Sequence, residues 1–130
     1  MVNLLIVSHS AQIAAGVREF VGQVAGDAVR IAAAGGTADG AIGTSVELIL
    51  AKLQEVMSPD GVLVLVDLGS AVLSVETALE MVSGGPARIS DAPLVEGAYL
   101  AAIEASDPGA TLERVAAAAL QARELVKVHK

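Results

Sequence analysis

The sequence predicts an α/β fold: a doubly wound, mainly parallel four-stranded sheet in the order 2-1-3-4, with helices on both faces. Three observations carry that expectation. Short apolar runs alternate with segments of helical periodicity, the pattern of strand–helix–strand units. Two of the runs, Val2–Val7 and Val62–Val66, are apolar at nearly every position, as strands covered on both sides must be. Right-handed crossovers in a chain of 130 residues then favour a third strand lying beside the first. A chain of this length is expected to form one domain, residues 1–130, around a single core.

Each element has its own signal. Val2–Val7 is the first strand, interrupted only by Asn3. Ser10 can cap a helix that carries Ile13, Val17, Val21 and Val24 on one face, and Gly26-Asp27 ends it. Val29–Ala33 is a short second strand. A Gly-rich loop follows, AAGGTADGAIGTS at 33–45. Thr44 and Glu47 have capping-box spacing and open a helix with Val46, Leu50, Leu53 and Met57 inward. The turn Ser58-Pro59-Asp60-Gly61 leads into Val62–Val66, the third strand. Asp67-Leu68-Gly69-Ser70 turns into a helix carrying Val72, Val75, Leu79 and Val82, which Gly84-Gly85-Pro86 breaks. Arg88–Ser90 is a short fourth strand. Ala92-Pro93-Leu94 precedes a helix from about Val95 to Ala105, and Asp107-Pro108-Gly109 is a turn. Thr111 caps a last helix with Leu112, Val115, Ala119 and Leu120 facing inward. The basic tail Lys127–Lys130 suits a helix C-terminus.

Composition narrows the chemistry. Hydrophobic residues make up 54% of the chain but aromatics only 2%, so alanine and valine carry the core. The mean hydropathy of +0.65 is high, yet no apolar run approaches the roughly 20 residues of a membrane span. Nothing resembles a signal peptide, so the expected location is cytoplasmic, without membrane insertion. The absence of cysteine removes disulfides, thiolate nucleophiles, Cys-type zinc sites and iron–sulfur ligation. A net charge of −7 with eight scattered Lys and Arg argues against nucleic-acid binding. An acidic surface suits docking to a basic partner, and it suits ordinary solubility equally well.

The strand order directs attention to one place. Strands 1 and 3 lie side by side at the topological switch point, and ligands of open α/β sheets bind beyond the carboxyl ends there. Those ends carry Ser8-His9 and Asp67. His9 is either a reactive group on that rim or a turn histidine that bonds backbone groups. Asp67 either bonds the imidazole, fixing its tautomer and leaving the other nitrogen nucleophilic, or caps the helix near Ser70. His129 reads as a solvated chain end.

Other chemistries lack parts. The Gly-rich loop reads Gly43-Thr44-Ser45, without the lysine of a phosphate-binding loop, and Gly-x-Gly-x-x-Gly is absent. Nucleotide binding by this chain alone is therefore not expected. The loop either offers N–H groups to an anion or is a mobile surface segment. A Ser8 or Ser10 triad has no Gly-x-Ser-x-Gly elbow. A metal site would have only His9 and Asp67 where three ligands are needed. His9 as a covalent phosphoryl carrier needs the fewest missing parts. A neutral imidazole is a good nucleophile. The helix starting at Ser10 would turn free N–H groups and its positive end toward a phosphate. Transfer between carriers then needs mainly positioning and charge stabilisation.

Four ordered motifs, LLIVSHS at 4–10, GGTADGAIGTS at 35–45, VDLGSA at 66–71 and APLVEGA at 92–98, resemble the DhaM family. These are phosphotransferase subunits of the bacterial phosphoenolpyruvate-dependent dihydroxyacetone kinases, similar in turn to enzyme IIA domains of the mannose-type sugar phosphotransferase system. The resemblance covers essentially the whole chain. It implies that His9 takes phosphate from the phosphocarrier HPr, itself charged by enzyme I from phosphoenolpyruvate. It implies transfer to ADP on a DhaL subunit, regenerating ATP that phosphorylates dihydroxyacetone on DhaK. It implies that Asp67 is the acidic group beside the histidine, that Gly43, Thr44, Gly69 and Ser70 border the site, and that the chain is a homodimer. No cofactor is expected on this chain, with ADP and magnesium held by DhaL. Some family members continue into HPr-like and enzyme I-like domains, whereas this sequence stops at Lys130, as a natural single-domain form or a fragment. A mannose-type enzyme IIA that passes phosphate to an enzyme IIB is the alternative, which VDLGSA and APLVEGA disfavour. A non-catalytic α/β interaction module is the third reading.

Overall fold

A computed structural model describes residues 1–129. Its strands are β1 (Asn3–Ser8), β2 (Ile31–Gly35), β3 (Val62–Val66) and β4 (Ala87–Ser90). Its α-helices are α1 (Ala11–Gly22), α2 (Val46–Val56), α3 (Ser70–Leu79), α4 (Leu94–Ala105) and α5 (Leu112–Leu120), followed by a 3-10 turn, Gln121–Glu124. The sheet has the expected order β2-β1-β3-β4, and every pairing is parallel. Leu4 lies opposite Ile31 on one side and Leu63 on the other, and Val7 opposite Ala34 and Val66.

Helices on both faces explain why β1 and β3 are buried at every position. Leu4, Ile6, Leu63 and Leu65 point to α1, α4 and α5, while Leu5, Val7, Val62, Val64 and Val66 point to α2 and α3. Asn3, the one interruption in the first run, is buried and satisfied. Its Nδ2 donates to the Val56 carbonyl at 2.7 Å, and its Oδ1 accepts from the Arg30 N–H at 2.9 Å. No helix among the described residues is long and apolar enough to cross a membrane.

Several local expectations are corrected. Strand β2 lies two residues later than Val29–Ala33. Val29 closes a turn by donating to Gly26, and Gly35 belongs to the strand, opposite Ser8. Gly35 is no breaker: a Cβ there would sit 2.4 Å from the Ser10 carbonyl oxygen, so glycine lets α1 start against the sheet. Ser45, not Thr44, caps α2, accepting from the Leu48 N–H at 3.2 Å. The Thr44 hydroxyl instead bonds that of Ser74 on α3, at 2.8 Å.

Helix faces are rotated from those expected. Helix α1 buries Ala14, Val17 and Val21, leaving Ile13 exposed and Val24 beyond the helix. Helix α2 buries Ile49, Leu53 and Val56, with Val46, Leu50 and Met57 half-buried at its flanks. Helix α3 buries Ala71, Val75 and Ala78, leaves Val72 and Leu79 half-buried, and ends before Val82. Helix α5 buries Val115, Ala116 and Ala119 and exposes Leu120. The common cause is alanine. Small side chains facing the sheet allow close helix approach, and the larger ones wedge into the flanks. The tail does not serve a helix end: Lys127 pairs with Glu96 at 2.7 Å, and residue 130 lies outside the described residues.

Candidate functional site

Strands β1 and β3 end level with each other, and the Asp67 N–H donates to the Val7 carbonyl at 3.2 Å. His9 and Asp67 therefore leave the sheet side by side at the switch point, as the strand order requires. Asp67 accepts four hydrogen bonds. Oδ2 takes the Ser8 hydroxyl and the His9 N–H, both at 2.9 Å. Oδ1 takes His9 Nδ1 at 2.9 Å and the Leu68 N–H at 2.7 Å. Burial pushes the Asp67 carboxyl up, but the bonds from the His9 N–H, the His9 ring, Ser8 and Leu68 outweigh it and hold the group below its ordinary value.

This geometry selects a tautomer. An ionised carboxylate only accepts, so Nδ1 carries the proton and Nε2 keeps its lone pair. The Ser70 hydroxyl sits 2.9 Å from Nε2 and donates to it. The His9 backbone is held as firmly as the ring, because its carbonyl accepts from the Gly43 N–H at 2.9 Å. The His9 side chain keeps 22% exposure, enough for a reagent to reach Nε2.

The remaining expected residues divide. Ser10 caps α1 by accepting from the Ile13 N–H at 3.2 Å. Gly43 holds His9 from the loop, whereas Thr44 borders the site only through Ser74. Gly69 and Ser70 start α3, which has no side-chain cap, unlike α1, α2 and α5. The end of α3 that meets His9 Nε2 is thus the kind of helix terminus that favours an anion. His129 is exposed and stands in the tail.

Two residues of the site were not assigned this role from sequence. Ser8 is fully buried and serves Asp67, so it is no candidate nucleophile. A polar group ending an otherwise apolar buried strand is the signal, since it must find a partner there. Ser74 lies one helical turn after Ser70, and that i,i+4 spacing is its signal.

The segments around the pair carry one sign of charge, although Arg123 and Lys127 from the C-terminal part of the chain reach Asp91 and Glu96 on them. The segments that leave the carboxyl ends of the strands, 8–15, 35–48, 67–76 and 90–96, contain Asp39, Glu47, Asp67, Glu76, Asp91 and Glu96 but no lysine or arginine. Ile13, Ile42, Leu68 and Leu73, on the same segments, stand exposed. Among the described residues no group of three His, Asp or Glu is arranged to hold a metal ion.

The chain is similar to several known proteins. The family model described as PTS system fructose IIA component, EIIA-man, matches residues 3–116. A Listeria innocua protein named PEP-dependent dihydroxyacetone kinase 2, phosphoryl donor subunit DhaM, is 39% identical over 80% of this chain and 86% of its own. The Lactococcus lactis phosphotransferase subunit DhaM of a PTS-dependent dihydroxyacetone kinase is 36% identical over 87% of this chain and 89% of its own. The Escherichia coli DhaM is 41% identical over 95% of this chain, which spans only 27% of that longer relative. A crystal structure of a protein of unknown function superposes with a TM-score of 0.77 at 36% identity, covering 92% of each chain.

Proposed function

Since the chain belongs to the EIIA-man family of PTS system IIA components and, within it, to the DhaM phosphoryl donor subunits, we propose that it is a phosphohistidine carrier of a dihydroxyacetone kinase. His9 accepts phosphate from HPr at Nε2 and passes it to ADP on a DhaL subunit, supplying ATP for dihydroxyacetone phosphorylation on DhaK. The observation that carries this reading is the 2.9 Å contact between Asp67 Oδ1 and His9 Nδ1, which leaves the Nε2 lone pair to the Ser70 hydroxyl, a partner that an incoming phosphoryl group replaces.

In the first step the Nε2 lone pair forms the bond to phosphorus while the bond from phosphorus to the donor atom breaks. The imidazole becomes cationic without releasing its Nδ1 proton, and the Asp67 carboxylate offsets the charge. Ser70 then loses Nε2 as its acceptor and can donate to a phosphoryl oxygen instead. The α3 N-terminus adds its dipole. In the second step an ADP oxygen attacks phosphorus, and the Nε2–P bond breaks to restore the starting tautomer. Magnesium and ADP belong to the acceptor subunit, and this chain holds no cofactor. The net acidic rim, in which Asp39, Glu47 and Glu76 have no cationic partner among the described residues, is set with exposed apolar side chains and suits a basic protein partner at both hand-offs. The carrier acts in the cytoplasm, as a homodimer whose mass equilibrium sedimentation measures.

A second reading, a sugar-system enzyme IIA that delivers phosphate to an enzyme IIB, draws on the fructose component named by the family model. One experiment separates the two. The protein is incubated with labelled phosphoenolpyruvate, enzyme I and HPr, and acid-labile label on His9 is measured. His9→Ala should lose it and His129→Ala should keep it. DhaL with ADP should then discharge the label. Retention with DhaL–ADP and discharge to an enzyme IIB would establish the second reading. Undiminished label on His9→Ala would sink the role of His9 in both readings, and no label on the wild type would leave a non-catalytic interaction module.

A further inference from the structure

We propose that Ser8 is a positioning residue for His9: its hydroxyl holds the Asp67 carboxylate in the orientation that aims Oδ1 at Nδ1. For its effect on transfer, this inference rests on the carrier reading above.

Ser8 has no exposure, so its hydroxyl can bond only what the fold places beside it. Its Oγ accepts from the Ser10 N–H at 3.1 Å, and its proton goes to Asp67 Oδ2 at 2.9 Å, because a carboxylate cannot donate. Asp67 is thereby gripped at both oxygens. Oδ2 has the Ser8 hydroxyl and the His9 N–H; Oδ1 has the His9 ring and the Leu68 N–H. Three of these donors belong to residues 9 and 68, next to the reacting group or to Asp67 itself. Ser8 is the one side-chain donor other than the reacting ring. It also ties the carboxylate to the first turn of α1 through Ser10. Without the Ser8 hydroxyl, Oδ2 keeps only the His9 N–H, and the carboxylate plane is free to tilt away from Nδ1.

Electrostatics around Asp67 do not substitute for this bond. The groove it borders carries Glu76 from α3, and Asp91 with Arg123, which pair with each other. On the loop side Asp39 is occupied by Thr37. The groove lining thus offers Asp67 no cation other than Arg123, which Asp91 already holds. Donated hydrogen bonds keep it ionised, and losing one raises its folded-state pKa.

The test uses Ser8→Ala and Ser8→Cys in the whole chain; the cysteine nearly keeps the volume but donates weakly. Carboxyl carbon NMR, with the Asp67 signal assigned by its loss in Asp67→Asn, follows the titration across the acid range. The midpoint should rise by roughly 0.5–1 pH unit in both variants. Transfer from phosphorylated HPr should fall by about tenfold at neutral pH, because a tilted carboxylate no longer aims Oδ1 at Nδ1. An Asp67 titration that coincides with the wild type overturns the inference. A rate that falls while that titration stays in place is what mere loosening of the strand end would give, and a transfer rate equal to the wild type in both variants overturns the inference as well. The titration needs no phosphoryl donor, so it tests the role of Ser8 even if the carrier reading fails.

Discussion

Replacing Asp67 by asparagine changes one atom and puts every contact of the site in conflict. Four donors converge on this carboxylate, and two of them, the Leu68 and His9 N–H groups, are backbone donors on opposite oxygens. The asparagine NH₂ must face one of them. Turned toward Leu68, it also meets Nδ1, which then has to accept. The imidazole proton moves to Nε2, and the nucleophile is lost. Turned toward Oδ2's position, it faces the His9 N–H, whose loss loosens the residue that reacts. A reversed histidine tautomer costs as much as about 10⁴ in rate, so a fall of roughly 10²–10⁴ in phosphoryl transfer is expected. The bond lost from the part-buried His9 N–H or the exposed Leu68 N–H costs about 1 kcal/mol in stability. Rapid-quench transfer from phosphorylated HPr measures the first, thermal denaturation the second, and nitrogen-15 NMR of His9 reads the tautomer. A variant that retains Nδ1–H and transfers within about threefold of the wild type would refute the reasoning.

Three further outcomes are expected. The Asp67 carboxyl titrates below its ordinary value in the fold, so its share of stability is complete above the unfolded-state value of about 3.9. That share is lost as pH falls through the lower folded value; the difference in denaturation midpoint between the wild type and Asp67→Asn should therefore shrink on acidification, and a constant difference counts against it. Gly35→Ala should lower stability by about 1–3 kcal/mol and slow transfer as well, because a Cβ 2.4 Å from the Ser10 carbonyl oxygen must displace the start of α1; normal transfer in a destabilised variant would separate the two effects. Ser45→Ala should cost about 1 kcal/mol in denaturant titration as a lost helix cap. Thr44→Ala, by contrast, should leave α2 capped and free Ser74, so an equal helix loss from both variants contradicts the assignment.

The sheet order was legible because two nearly unbroken apolar runs read as central strands. Once Val2–Val7 and Val62–Val66 were neighbours, His9 and Asp67 followed. A parallel register brings strand ends level, so the pair needed no side-chain information. What escaped reading depended on small residues. Large apolar side chains such as Ile13 and Leu50 drew the expected faces, yet Ala14, Ala71, Ala78 and Ala116 face the sheet because close packing outweighs side-chain size. Gly35 resembles loop in sequence because glycine usually breaks strands, whereas its missing Cβ is what seats α1. Thr44 and Ser45 are both good caps in isolation, and only the position of α3, with Ser74, chooses between them. Serine beside histidine suggests a nucleophile, but the burial of Ser8 gives it the opposite duty.

His9 is held from every side: its N–H by Asp67, its carbonyl by Gly43, and its two ring nitrogens by Asp67 and Ser70. In the proposed function, a carrier built this way is a fixed terminal and not a swinging arm. It cannot carry its cargo across a gap between two bound proteins, so each client must bring its own reacting atom to the same spot. Donor and acceptor then compete for one landing place, and the charged carrier must travel freely between them. Its kinetics would be those of a turnstile, with each client inhibiting the other's turn at high concentration.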